Sequence, residues 1–269
     1  MNTPPILTDR QALARNRARA QRDALFLHAE AADELKDRLQ MVNRTFTKPA
    51  VVTGFPDLWA EFFPDACIIA DSDVLDLAPG AHDLIIHALA LHWSNDPVGS
   101  VIQSARALKP DGLFLGVAFG GETLAGLRAA LAQAEARLTG GMAPRVLPMA
   151  EIRDMGSLLQ RAGLALPVAD SASREVSYSD MFALMRDLRA MGEANAMAAR
   201  LRRPTRRAIM DEAARIYARD NAGADGRVRA IFEMIFLSGW APHESQQKPL
   251  RPGSAQISLT EVLKTKTPH

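Results

Sequence analysis

The chain has a single cysteine, Cys67, among 269 residues. One thiol excludes a disulfide framework and a cysteine-based zinc site, and it suits a reducing compartment. An excess of charge of either sign is also lacking, since 32 Lys and Arg face 31 Asp and Glu. No overall field therefore argues for nucleic acid. Long apolar runs are missing too. The longest, such as LFLGVAF at 113–119, are of strand length, well short of the roughly 20 residues that span a bilayer. The opening MNTPPILTDR lacks the basic-then-apolar pattern of a secretory signal, and Asp9, Asp23 and Glu30 interleave with Arg10, Arg15, Arg17, Arg19 and Arg22 against a transit peptide. These absences lead us to expect a soluble cytoplasmic protein with no membrane span, long enough to bury a large α/β core.

What is present is a strand–helix alternation. Residues 9–43 carry a helical pattern, with Leu25, Leu27, Leu35, Leu39 and Val42 on the apolar face. Ala50–Thr53 is a β-branched run that fits a buried strand, and Phe55-Pro56 opens a helix whose first turn tolerates proline. Cys67–Ala70 and Leu84–Ala88 read as strands, Pro97–Leu108 as a helix and Leu113–Phe119 as the strand that follows a Lys-Pro-Asp-Gly turn. The segment DLIIHALALHWSNDPVGSVIQSARALKPDGLFLGVAFGG at 83–121 thus reads as one βαβ crossover of a parallel sheet. Helices over Glu122–Leu138 and Met149–Arg161 end at Gly140 and Gly163. A strand falls within Ala165–Tyr178, residues 180–220 are helical in pattern and broken at Pro204, and Val228–Trp240 is a final strand.

These residues resemble the class I S-adenosylmethionine-dependent methyltransferases, and most closely the branch that contains the mitochondrial complex I assembly factor of this fold. The malonyl-carrier methyltransferases of biotin synthesis are more distantly similar. The likeness is carried by LHWSNDP at 91–97, LKPDG at 108–112, FGGETLAGLR at 119–128, GSLLQRAG at 156–163, MRDLRAMGEANA at 185–196 and GWAPHESQQKPLRPGSA at 239–255. LKPDG is common across the whole fold; its combination with MGEAN and HESQ is specific. The resemblance implies a Rossmann-like α/β fold of seven strands, mostly parallel, whose last strand runs antiparallel. It also implies a core at 49–178 and 226–269 behind an N-terminal helical segment at 1–48, and a helical lid insertion at 179–225. The implied cofactor is S-adenosylmethionine, and the implied partner is a protein substrate or a respiratory-complex subunit.

Two observations set this chain apart from that pattern. The family's loop after the first strand carries several glycines, which let a ligand approach the backbone closely. Here the loop reads Thr53-Gly54-Phe55-Pro56, with one glycine, a bulky ring and a residue without an N–H. The interval from Thr53 to Leu84 (84 − 53 = 31 positions) holds one helix and one strand, whereas two βα units need some 40 residues or more. The expectation is a fold shortened by one βα unit, the unit that normally ends in a ribose-binding acid, and hence a degenerate cofactor loop.

The resemblance places Gly54, Asp71, Asp73, His87 and Leu91 on the cofactor side, with ordinary turn, cap or strand-filling roles as the alternatives. His92 follows the fourth strand of the family, where groups face the transferred methyl, and is the catalytic candidate; a packed structural histidine is the other reading. In-line transfer draws much of its rate from positioning, and a histidine could take the nucleophile's proton. Trp93, Glu193, Asn195, His243, Glu244 and Gln246 are the substrate or lid candidates. The histidines lack carboxylates at ligand spacing except for His243-Glu244, so no metal set is expected. Arg200, Arg202, Arg203, Arg206 and Arg207 form the one basic cluster, read as a solvated turn or a dock for an acidic partner surface. Without interleaved aromatics it does not favour RNA. Three readings stay open: an active methyltransferase, an assembly or chaperone factor that has lost the cofactor, and a different chemistry such as arginine hydroxylation on the same scaffold.

Overall fold

The computed structural model describes residues 6–246. Its sheet starts where the β-branched runs predict. Strand β1 (Pro49–Thr53) pairs in parallel with β2 (Cys67–Ala70) on one side and β3 (His82–Ala88) on the other. Strand β4 (Leu108–Phe119) extends the parallel set. Strand β6 (Val228–Trp240) then inserts antiparallel between β4 and β5 (Ala165–Tyr178). Among the described residues the order is β2-β1-β3-β4-β6-β5, a sheet of six strands rather than the seven implied by the resemblance. The final strand is antiparallel as expected. Between β1 and β3 lie one helix, α3 (Pro56–Phe62), and one strand, β2.

Alternation along these strands divides the interior into two layers. Val51, Leu84, Ile86 and Leu115 face one cluster, and Ala50, Val52, Ile85 and Phe114 face the other. The first layer is covered by α2 (Phe26–Met41), α3, α5 (Ala125–Thr139), α7 (Met181–Ala190) and α8 (Arg207–Asn221). The second is covered by α4 (Pro97–Ala107) and α6 (Ile152–Arg161). Removal of each fully buried Val, Leu or Ile from water contributes about 1.5–3 kcal/mol. At the amino end of β3, Asp83 accepts hydrogen bonds from the Thr47 and Lys48 amides and the Thr47 hydroxyl, each at 2.8 Å. Burial alone would raise its pKa; these bonds outweigh it and hold the carboxyl below its ordinary value.

Three sequence expectations give way. The 9–43 pattern is two helices, α1 (Arg10–Arg17) and α2, joined by a 3₁₀ turn at Arg22–Ala24. No glycine or proline marks this break; the Gln21 amide instead donates to the Ala190 carbonyl and the Asn16 amide side chain to the Ala194 carbonyl. The 180–220 pattern is helical only at its ends. Helix α7 ends at Ala190, just before Gly192 turns the chain in the left-handed region at φ +80°, and α8 starts at Arg207. The Lys-Pro-Asp-Gly bend lies within the span of β4, with Asp111 at φ +63°.

Candidate functional site

The turn at Gly192 directs Glu193 into the protein. Leu91–Trp93, a 3₁₀ turn after β3, meets it from the sheet side. Trp93 Nε1 donates to Glu193 Oε2 at 2.7 Å, and His92 Nε2 lies 3.5 Å from the same oxygen. The His92 ring also sits 4.9 Å, centroid to centroid, from Phe119 at the end of β4. Burial alone would raise the Glu193 pKa; the neighbouring His92, the positive Arg17 and the Trp93 bond outweigh it and hold the carboxyl below its usual value. Glu193 is therefore an anion in the interior. Its Oε1, and both ring nitrogens of His92, are buried without a hydrogen-bond partner. Such unmet polar groups are costly, roughly 1–3 kcal/mol each.

Beside this trio is a cavity of about 220 Å³. Trp93, Phe119, Leu127, Leu188 and Phe232 supply its apolar walls, with Glu193 also on its lining. Arg145 reaches the same cavity, but its guanidinium is engaged by Glu135 and the Thr205 hydroxyl. Arg189 is exposed at the rim. Asn195 lines the cavity as well, with its side chain spent on the Pro144 carbonyl and the Met197 amide.

The loop after β1 is built differently. Phe55 gives its N–H to the Thr53 hydroxyl at 3.1 Å, and Pro56 has none. Over Gly54 lies the guanidinium of Arg17, from the last turn of α1. A Cβ at Gly54 would come within 2.1 Å of Arg17 Nη1. That nitrogen donates to both Asp71 oxygens at 2.8 Å, and Arg10 stands 3.5 Å from the same carboxylate. The Arg17 side chain is 8% exposed, Asp71 12%. The guanidinium also lies 5.7 Å from the Phe55 ring centroid. Its Nε and Nη2 are buried without partners. Beneath the loop, His28 accepts from Trp59 Nε1 at 3.0 Å and packs its ring 4.6 Å from Phe55. Burial pushes the His28 pKa down to about 3 and that of His87, inside β3, to about 4. Both imidazoles are neutral at pH 7.

The predicted residues thus separate into three places. His92, Trp93 and Glu193 come together, with Asn195 on the cavity wall, whereas Leu91 packs in the second core layer and His87 lines a small recess with Arg10, Asp71 and Asp73. Gly54 and Asp71 meet across Arg17, while Asp73 is exposed. The HESQ segment lies elsewhere. Gln246 donates to Asp111 and to the Ala241 carbonyl at the opposite end of β4, and the exposed His243 and Glu244 do not approach the cavity. The remainder of that motif, from 247 on, lies outside the described residues. Of the basic cluster, Arg200 and Arg202 pair with Asp9. No group of His, Cys, Asp and Glu suited to a metal occurs among the described residues, and no helix there is long and apolar enough to cross a membrane. Sequence reasoning passed over Arg17 and His28. The seven-residue spacing of Arg10 and Arg17 puts both on one helix face, the one signal that they could share a partner.

No protein-family model matches the chain. Among solved structures it is similar to a putative methyltransferase of Bacillus halodurans, at 13% identity and a TM-score of 0.50, over 78% of this chain and 99% of that one. The YcgJ protein of Bacillus subtilis gives the same TM-score at 12% identity, over 78% and 98%. These likenesses establish the class I methyltransferase fold. The chain is 37% identical over 228 residues to the protein named arginine-hydroxylase NDUFAF5, mitochondrial, of Danio rerio, covering 84% of this chain and 70% of that one. It is 39% identical to the human protein of that name, where it spans only 58% of the relative's length. A malonyl-[acyl-carrier protein] O-methyltransferase of Laribacter hongkongensis is 35% identical over 188 residues. The chain therefore belongs to the NDUFAF5 family, the assembly-factor branch of the class I methyltransferases.

Proposed function

We propose that this protein is an assembly-factor relative that receives a cationic side chain of a protein partner, such as an arginine of a respiratory-complex subunit, in the cavity between the sheet and a lid formed by residues 179–225. The observation that carries this reading is the ionised, buried Glu193, with one oxygen unpartnered, on the lining of an apolar cavity beside Trp93 and Phe119. A carboxylate with spare acceptor capacity among aromatic rings suits a guanidinium, which adds hydrogen bonds to Glu193 and a cation–π contact to the rings. The arginine-hydroxylase name of the relatives agrees with that class of occupant. His92, with both ring nitrogens free beside Glu193, is placed to hold a proton or hydrogen bond at the occupant's head.

The cofactor of the fold family does not fit the residues as they stand. S-adenosylmethionine requires open backbone after the first strand and a free acid nearby. Here the Phe55 N–H is used internally, Arg17 covers Gly54, and both Asp71 oxygens accept from Arg17. The short interval between β1 and β3 supports the loss of the ribose-binding βα unit. These residues favour a binding role over methyl transfer from a bound cofactor.

Calorimetry with Nα-acetyl-arginine amide and its uncharged isostere, Nα-acetyl-citrulline amide, tests the reading. The wild type should prefer the arginine probe by roughly tenfold or more, and Glu193→Gln should erase the preference. Equal binding of the two probes, or a preference that survives Glu193→Gln, refutes it.

A further inference from the structure

The guanidinium of Arg17 occupies the one part of the β1 loop that glycine leaves open. Gly54 has no Cβ, and Arg17 Nη1 takes that space. Gly192 performs the same service on the other side, since a Cβ there would lie 3.1 Å from the Arg17 Cα. Gly54 thus leaves room for the guanidinium, and Gly192 leaves room for the α1 backbone that carries it. Asp71, at the end of β2, is joined to β1 by its own amide, which donates to the Thr53 carbonyl at 3.2 Å. Its carboxylate is then closed by Arg17.

Helix α1, which delivers Arg17, is anchored just before its first turn by residues 7–9 and in its last turn by Asn16, which donates to the Ala194 carbonyl at 2.8 Å. The Asp9 amide donates to the Ala196 carbonyl and the Ala198 amide to the Leu7 carbonyl. Asn95 accepts from the Leu7 and Thr8 amides through its side-chain oxygen, at 3.0 and 2.8 Å. Asp9 is clamped by Arg200 at 2.9 Å. These bonds tie residues 7–9 to the 193–200 segment and to the turn after β3. Arg17 is thus presented by a fixed support, and its contacts with Asp71 and Phe55 are made from within the fold.

We propose that Arg17 is a built-in occupant of the cofactor place: its guanidinium, seated on Gly54 and paired with Asp71, does the structural work that a bound cofactor would do in this fold and keeps an adenosyl ligand out. A charge at this point has a physical rationale. Asp71 is nearly enclosed, so it needs a counter-charge, and a planar, permanently ionised guanidinium provides one at the groove of about 760 Å³ that Arg17 lines with Gly54, Phe55 and Asp71. The inference rests on the part of the functional reading that leaves the loop without cofactor. It does not depend on what enters the cavity, and the probe experiment at Glu193 reads that separately.

The test is thermal unfolding of the full chain as wild type, Arg17→Met, Asp71→Asn and the double variant, each with and without 1 mM S-adenosylhomocysteine. The wild type should not respond to the ligand. Arg17→Met should lower Tm by roughly 5–10 °C, because it leaves the nearly enclosed Asp71 carboxylate only Arg10, at 3.5 Å, as a counter-charge. The double variant should recover most of that loss, which keeps the proposal testable if the single variant fails to fold. Ligand binding gained by Arg17→Met or by the double variant would support the proposal, as the place over Gly54 would have been vacated. A wild-type rise of roughly 5–10 °C, the response expected at about 100 times the dissociation constant, would overturn it. Simple addition of the two single losses in the double variant would overturn it as well.

Discussion

The cavity beside Glu193 and the loop after β1 lie at the same end of the sheet and share a buried electrostatic neighbourhood, yet they are built in opposite ways. At the cavity, a carboxylate is left with an unused oxygen next to about 220 Å³ of space. At the loop, both Asp71 oxygens accept from Arg17, whose guanidinium lies over Gly54, and these residues line an open groove of about 760 Å³ with Phe55 and Pro56. The first leaves a carboxylate oxygen unpartnered beside the cavity; the second pairs its carboxylate with a cation from α1, whose own Nε and Nη2 are left unpartnered. The contrast shows two ways of holding a buried carboxylate at one end of a sheet, one beside a cation of the chain and one beside aromatic and imidazole rings.

The largest effect expected on this comparison comes from acid. His28 lies under the loop and His87 inside β3 between the two regions, and both have folded pKa values, about 3 and about 4, below the unfolded value near 6.5. Below pH 6.5 the unfolded chain binds protons that the folded chain does not, so stability falls as pH drops toward 4. The two imidazoles together steepen the loss to as much as about 2.7 kcal/mol per pH unit. Urea melts between pH 7 and 4.5 would measure the slope, and His87→Asn should remove about half of their combined share. A slope unchanged by that substitution would mean that His87 does not hold its neutral form in the fold.

A smaller effect separates the two regions. Trp93→Phe keeps the aromatic wall of the cavity but deletes the donor to Glu193. It should cost about 1–3 kcal/mol in urea melts and leave the coupling between Arg17 and Asp71 intact. If that coupling changes with Trp93, the regions are one network and the comparison fails. The smallest effect is expected from His243→Ala, whose ring is exposed and, among the described residues, bonds only Ser245 two positions on. Stability should stay within about 0.5 kcal/mol, and probe binding at the cavity should not change. Loss of probe binding would bring the HESQ segment back to the site.

The candidate site was legible to different depths. His92 and Trp93 could be placed because they follow a strand whose apolar run is unmistakable, and a parallel sheet gathers ligand-facing residues at the carboxyl ends of its strands. Glu193 was reached through the MGEAN motif, and the glycine before it explains the turn inward. The HESQ residues shared a specific motif with the same family, yet specificity of a motif carries no coordinates; the described part of this one sits by Asp111 at the far end of β4.

The sequence by itself determined the alternation of strands and helices, the poverty of the loop after β1 and the short interval that follows it. These are properties of neighbouring residues: β-branched runs, proline without a donor, glycine at a turn. Only the tertiary structure decided that the 9–43 pattern breaks without a breaker, because the Gln21 amide and the Asn16 side chain find partners at Ala190 and Ala194. It alone decided that Arg17 meets Asp71, 54 residues away. Local propensity cannot encode such a pairing: its strength comes from burial that two distant segments create for each other, and neither segment carries that burial alone.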